Sequence, residues 1–158
     1  MDLEFGTWVH IRRTALGLSQ ARLAAIADVH QPTITAIEKG HRSATEPVRR
    51  KLTAALQARP GDLLAGLRDE VVALVERHGA KNPRVFGSIA RGTDTVWSDV
   101  DLLVAFPDTA ARLAYFDLVQ DLEDLLTVEV DVVDDASTGR AATVRTDGHP
   151  AIGQPHRG

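Results

Sequence analysis

Two aspartates, Asp99 and Asp101, open the apolar run that ends at Phe106, and a Gly-Ser pair, Gly87-Ser88, stands upstream with ten residues between Ser88 and Asp99. Side chains alternate along a strand, so Asp99 and Asp101 share one face while Val100, Leu102, Val104 and Phe106 take the other. Carboxylates side by side at the start of a buried strand repel each other and lose hydration unless a cation sits between them. A hard divalent metal ion is the simplest such cation. Ahead of the pair, Arg84-Val85-Phe86 suits a strand that breaks at Gly87-Ser88. A third aspartate, Asp131, lies on the later alternating run Val128-Glu129-Val130-Asp131-Val132-Val133. Metal-assisted chemistry is what these residue types at this spacing suit.

Such a site needs strands to carry it and helices to cover them. Ala58-Arg59-Pro60-Gly61-Asp62 reads as a domain boundary, punctuated by Pro and Gly, with Asp62 able to cap the next helix. Leu63, Leu64, Leu67, Val71, Leu74 and Val75 then predict one amphipathic helix closing at His78-Gly79. Leu113, Phe116, Val119, Leu122 and Leu126 predict another, with Asp117, Asp121 and Glu123 on a solvated face. From Asp134 the apolar periodicity fades, and residues 136–158 read as a loose or disordered tail.

The first part of the chain has a different pattern. Phe5, Trp8, Val9, Ile11, Arg12 and Leu16 describe a helix ending near Gly17. Ser19 is a good N-cap for a short helix expected to turn Leu23, Ala24 and Ile26 inward. Asp28-Val29-His30 breaks it. Gln31 to Lys39 forms the next helix, with Pro32 in its first turn, Ile34 and Ile37 inside, and Gly40 as its stop. A further helix runs from about Glu46 to Gln57 on Val48, Leu52 and Leu56.

Composition narrows the class. At 44% hydrophobic and 25% charged, the chain is globular and neither disordered nor fibrous. With no cysteine it has no disulfide framework, thiolate zinc site or thiol nucleophile. No apolar run approaches the ~20 residues that cross a bilayer, and no signal peptide is evident, so the expectation is a cytoplasmic protein without a membrane partner. The six histidines form no zinc spacing, and neither a Ser/His/Asp triad order nor a Walker-type loop stands out. The net charge of −4 conceals a division. Residues 1–60 carry 9 Lys+Arg against 5 Asp+Glu, whereas residues 61–136 carry 6 against 16. A basic part suits phosphates and an acidic part suits metal.

Gly17-Leu18-Ser19-Gln20-x-x-Leu23-Ala24, followed by Val29-His30-Gln31-Pro32-Thr33-Ile34-x-x-Ile37-Glu38-x-Gly40, resembles the Xre or Cro/repressor family of DNA-binding domains. The resemblance covers about residues 5–58. It implies that the second motif helix enters the major groove, with Gln31, Pro32, Thr33 and Ala36 near bases. Gln20 would hold a phosphate, with Lys39, His41 and Arg42 nearby. Gln31 suits bidentate reading of adenine. The bland reading of Gln20, Gln31 and Thr33 is that they are solvated helix caps.

Gly-Ser, ten residues and Asp-x-Asp, with Asp131 on a later strand, resembles the minimal nucleotidyltransferases of the DNA polymerase beta superfamily, the MNT group. Alone, Gly-Ser is a turn and Asp-x-Asp decorates a strand end; the spacing joins them. The resemblance covers about residues 64–133 and implies roles. Gly87 lets the backbone approach a phosphate, and Ser88 offers a hydroxyl at the start of a short helix. Arg91 neutralises the triphosphate or, like Arg84, forms a structural ion pair. Asp99 and Asp101, with Asp131 as third carboxylate, hold two Mg²⁺ ions for attack on the α-phosphate of ATP. The MNT group commonly continues past the third aspartate into a further helix, for which residues 136–158 give no apolar stripe.

The expected fold class is α+β: an N-terminal all-α helix-turn-helix bundle over residues 1–60, then a nucleotidyltransferase domain over 61–135 with a small mixed β-sheet flanked by helices. The expected function is an antitoxin and transcriptional autoregulator that binds double-stranded operator DNA as a homodimer and transfers AMP from ATP to a partner toxin of the HEPN type. Two alternatives stand beside it. One is a regulator whose second domain senses nucleotide or grips a partner without catalysis. The other is an adenylyltransferase acting on a small molecule such as an antibiotic.

Overall fold

The computed structural model describes residues 3–138. The chain divides into two compact units, Met1–Ala58 and Arg59–Gly158. In the first, four helices surround one core: α1 (Leu3–Ala15), α2 (Gln20–Ala27), α3 (Gln31–Glu38) and α4 (Glu46–Ala55). Phe5, Val9, Leu23, Ala27, Ile34, Ile37, Leu52 and Leu56 form that core. Ser19 caps α2, its hydroxyl accepting the Arg22 N–H at 3.0 Å. The turn between α2 and α3 bends through Asp28 in the left-handed region, at φ 51°. Lys51 holds that residue, reaching its carboxylate at 2.8 Å and its carbonyl at 2.9 Å. Pro32 lies in the first turn of α3, where an N–H has no helical partner to lose.

Ile26 departs from expectation: it is 49% exposed. Leu23 and Ala27, four residues apart, set the buried line of this two-turn helix and leave Ile26 on its flank. A contact invisible to periodicity lies at Gly6, where α1 crosses α3. A side chain there would collide with the Ile37 carbonyl oxygen, so only glycine lets the two backbones approach this closely.

The second unit contains α5 (Pro60–Gly66), α6 (Arg68–Arg77), β1 (Lys81–Phe86), α7 (Gly87–Arg91), β2 (Val100–Ala105), α8 (Thr109–Leu113), α9 (Tyr115–Leu126), β3 (Val130–Asp134) and α10 (Asp135–Thr138). Its sheet has the order β1-β2-β3. β1 pairs antiparallel with β2, and β2 pairs parallel with β3, so the sheet is mixed. A parallel pair cannot be joined by a tight turn; here α8 and α9 make the crossover. Leu118, Leu122 and Leu126 of α9 and Val71, Leu74 and Val75 of α6 are buried. The expected α+β class is thus the observed one: among the described residues the first unit has helices only, and the second a small mixed sheet flanked by helices.

Several local expectations are corrected. The helix foreseen from Leu63 to Val75 is two helices, because the first ends at Gly66, and Leu67 serves as C-cap of one and N-cap of the next. Arg59, not Asp62, is the N-cap of α5, with Pro60 at its first position; Asp62 instead pairs with Arg59 at 3.2 Å. The phase of the later helix also differs: Leu113 and Phe116 are 80% and 81% exposed, and Leu118 replaces them inside. The chain breaks at Ala114 between α8 and α9, which resets the helical phase. Of the three acidic residues foreseen on the solvated face of α9, Asp117 and Asp121 are exposed, Asp121 also pairing with His78 at 2.7 Å, whereas Glu123 is half-buried and accepts the Val130 N–H at 3.2 Å. Ala136, expected in the tail, belongs to α10, and the rest of the expected tail beyond Thr138 lies outside the described residues.

Candidate active site and nucleic-acid interface

β2 is the central strand, and Asp101 is its second residue. In register it faces Phe86, the last residue of β1, on one side and Asp131 of β3 on the other. Asp99 lies just ahead of the strand. The topology therefore brings the Gly-Ser turn, the aspartate pair and the third aspartate to one end of the sheet. Gly87 has φ +67° and a side chain there would strike the carboxylate oxygen Oδ2 of Asp101. The carboxylate thus lies over the glycine α-carbon, and glycine is needed for both space and backbone conformation.

Ser88 opens the body of α7, and its carbonyl accepts the Thr93 N–H at 2.9 Å. Arg91 ends that helix, exposed. Arg84 is committed elsewhere, to an ion pair with Asp135 at 2.6 Å. Arg91 has no such pair among the described residues, and its charge falls on Asp101.

The electrostatics centre on Asp101. Its pKa is raised above the ordinary carboxylate value, first by burial, then by Asp99 and Asp131, with Arg91 opposing. Asp99 and Asp131 are exposed and Asp101 half-buried. Among the described residues no three acidic or imidazole side chains converge as ligands of one ion. The donor chemistry nevertheless fits a hard divalent cation: oxygen ligands only, on adjacent strand positions, with a central carboxylate that is short of positive charge.

Asp94 escaped the sequence reading. It is buried in the loop between α7 and β2, accepts the Gly61 N–H at 2.9 Å and lies 4.0 Å from Arg59. It ties the loop to the first turn of α5. An aspartate in a polar loop carries no local sign of so distant a partner.

In the first unit, Gln31, Pro32, Thr35, Ala36, Lys39 and His41 line a shallow depression of about 440 Å³ on α3 and the turn after it. Gln31, Pro32 and Lys39 are exposed, Thr33 and Ala36 half-buried. Thr35, which sequence reasoning passed over, joins this surface. Gln20 is placed differently from the rest. Its amide nitrogen donates to Glu38 at 3.0 Å and its amide oxygen accepts the Thr35 hydroxyl at 2.8 Å. That side chain pins α2 to α3. Glu38 also receives Arg13 at 2.6 and 3.0 Å and His10 at 3.2 Å. Burial alone would push Glu38 up, but the hydrogen bonds from Arg13, Gln20 and His10 outweigh it and hold its pKa below the ordinary range.

Comparison with known proteins gives two family matches. A helix-turn-helix family model of the Xre type matches residues 9–63. A nucleotidyltransferase domain model matches residues 66–150. The chain is similar to protein adenylyltransferase MntA of Thermococcus cleftensis, 42% identical over 73 residues that cover 45% of this chain and 74% of that protein. It is also similar to "Putative protein adenylyltransferase MJ0128" of Methanocaldococcus jannaschii, 42% identical over 67 residues, 42% of this chain and 68% of that one. A solved structure titled "Structure of putative minimal nucleotidyltransferase" is 44% identical, covering 49% of this chain and 79% of its own, with a TM-score of 0.45. The nucleotidyltransferase model spans more than half of the chain, which is thus a member of the nucleotidyltransferase domain family, and its first unit is similar to helix-turn-helix domains.

Proposed function

We propose that this protein is an autoregulating antitoxin: its first unit binds operator DNA as a homodimer, and its second transfers AMP from ATP to a partner toxin of the HEPN type. The observation that carries the enzymatic part is the gathering of Gly87, Asp101 and Asp131 at one end of the sheet, with Asp101 driven up in pKa by burial and by its acidic neighbours. The names of the relatives support a protein acceptor.

In this reading the backbone at Gly87 and the Ser88 hydroxyl take oxygens of the β- and γ-phosphates, and Arg91 neutralises part of their charge. Asp99, Asp101 and Asp131 would hold Mg²⁺. Bound there, the ions supply Lewis-acid stabilisation of the α-phosphate and acidify the acceptor hydroxyl. The hydroxyl oxygen bonds to the α-phosphorus as its proton passes to Asp131. The bond from that phosphorus to its bridging oxygen breaks, and pyrophosphate leaves.

The test is to co-incubate the protein with the product of the neighbouring gene and α-labelled ATP, then weigh that partner. A gain of one AMP, slowed by Asp131→Asn without loss of ATP binding, is the expected outcome. No mass gain, with neutralisation of the toxin surviving in the triple aspartate variant, means that the second unit acts by grip alone. AMP appearing on a small molecule instead moves the protein to the antibiotic-modifying class.

For the first unit, Gln31, Pro32, Thr33 and Ala36 approach base edges, while Lys39, His41 and Arg42 meet the backbone. One recognition helix covers only a half-site, so two copies read a palindrome. Gln20 braces this helix and leaves the phosphate contact to its neighbours.

A further inference from the structure

We propose that Trp97 is a stacking platform for the nucleobase of the bound nucleotide, and that it takes adenine and guanine alike. The inference rests on the nucleotidyltransferase reading above and adds a residue to it.

Large aromatic rings of this chain are mostly covered. Phe5 and Phe106 are buried, and Trp8 stacks on Phe5 with Arg12 over its face. Trp97 is 86% exposed, and Val96 beside it 39%. Leaving an indole in water forgoes a large burial gain, and such a ring is commonly a binding anchor. The loop that carries it is braced. The Thr95 N–H donates to the Ser98 hydroxyl at 2.9 Å, and the Trp97 N–H to the Thr95 hydroxyl at 3.3 Å. The Ser98 N–H donates to the Thr95 carbonyl at 3.0 Å. Upstream, Thr93 is held to Ser88 and buried Asp94 to Gly61. The ring is therefore presented on a tight, hydrogen-bonded turn, which lowers the ordering cost of using it.

Its place along the chain selects the ligand. With the β- and γ-phosphates at the start of α7 and the α-phosphate at the aspartates, the nucleoside must leave from the aspartate end. Trp97 is joined to Asp99 through Ser98 alone, a span of at most roughly 7 Å. A ring within that reach can meet a base. The turn also bears on the choice between purines. The hydroxyls of Thr95 and Ser98 each accept a backbone N–H within the turn, and the carboxylate of Asp94 accepts that of Gly61. What the turn offers a base is a face, and stacking on a face tolerates any base.

The experiment uses the full chain with Trp8→Phe, which leaves Trp97 as the sole indole of the two in the sequence. Saturable quenching of its emission by MgATP and by MgGTP, at similar concentrations, is expected. Inorganic tripolyphosphate with Mg²⁺, which has no base, should bind without quenching. In the otherwise native chain Trp97→Ala should weaken calorimetric ATP affinity about 5-fold or more, the low end of what base stacking contributes. Trp97→Phe should restore most of it, with melting unchanged in both. ATP affinity unchanged in Trp97→Ala overturns the stacking role while leaving the nucleotidyltransferase reading in place. If that variant instead loses only transfer to a protein, the loop belongs to the acceptor and the proposal is wrong. Wild-type protein that binds neither ATP nor GTP overturns both.

Discussion

At the scale of single residues, the site is built around one carboxylate that its surroundings oppose. Asp101 is raised in pKa by burial and by Asp99 and Asp131. A folded-state pKa above the unfolded one means the folded protein holds this proton more tightly. Stability from the group is therefore lost as pH rises from the ordinary value of 3.8 through the raised one. Asp101→Asn should accordingly match wild type in melting temperature below that window and exceed it above, in metal-free buffer. Added Mg²⁺ should raise the wild-type melting temperature at neutral pH and leave the variant unmoved. A variant that melts below wild type at neutral pH would make Asp101 a structural residue. The paired aspartates and the Gly-Ser turn were legible in sequence because alternation and spacing are local. The collision that makes Gly87 irreplaceable was not, since it depends on which strand lies beside it.

At the scale of elements, Glu38 is the fastening between α1, α2 and α3. It is 5% exposed and its partner Arg13 11%. Breaking a buried pair strands the remaining charge, so Glu38→Ala should cost ~3–5 kcal/mol in chemical denaturation. It should also weaken operator binding, because α3 loses its brace. Gln31→Ala should leave stability alone and cost ~1–3 kcal/mol in specific binding. If both variants lose stability equally, the division between brace and reader fails. The second unit offers a test of helical phase. Leu118→Ala should cost ~2–5 kcal/mol, being fully buried. Leu113→Ser, at an exposed site, should stay within ~0.5 kcal/mol. The sequence pattern placed Leu113 inside and passed over Leu118 for a physical reason. It assumed one continuous helix, and the break at Ala114 separates Leu113 from the buried line that Leu118, Leu122 and Leu126 form on α9. The same weakness joined α5 to α6. The first three helices suffered less, because Ser19, Pro32 and Gly40 mark their ends chemically.

At the scale of the whole chain, two functions with opposite electrostatics share one polypeptide: 9 Lys+Arg against 5 Asp+Glu over residues 1–60, then 6 against 16 over 61–136. The basic part should bind its own promoter with an affinity that falls steeply as salt rises. Replacing Asp99, Asp101 and Asp131 together by Asn should leave that binding intact in gel-shift titration while abolishing AMP transfer. Loss of specific DNA binding in the triple variant would show that the two units are not independent. Among the described residues no helix is long and apolar enough to cross a membrane. The order of elements along the chain also imposes an order in time on biosynthesis. A ribosome releases the helix-turn-helix segment first, and that segment is a compact unit. The third carboxylate emerges only after the crossover helices, at the far end of the second unit. At roughly 5–20 residues per second, the nascent chain spends several seconds with its helix-turn-helix unit complete and its carboxylate set incomplete. A chain cut short in that interval carries the helix-turn-helix unit without the third carboxylate, and the reverse product does not arise by truncation.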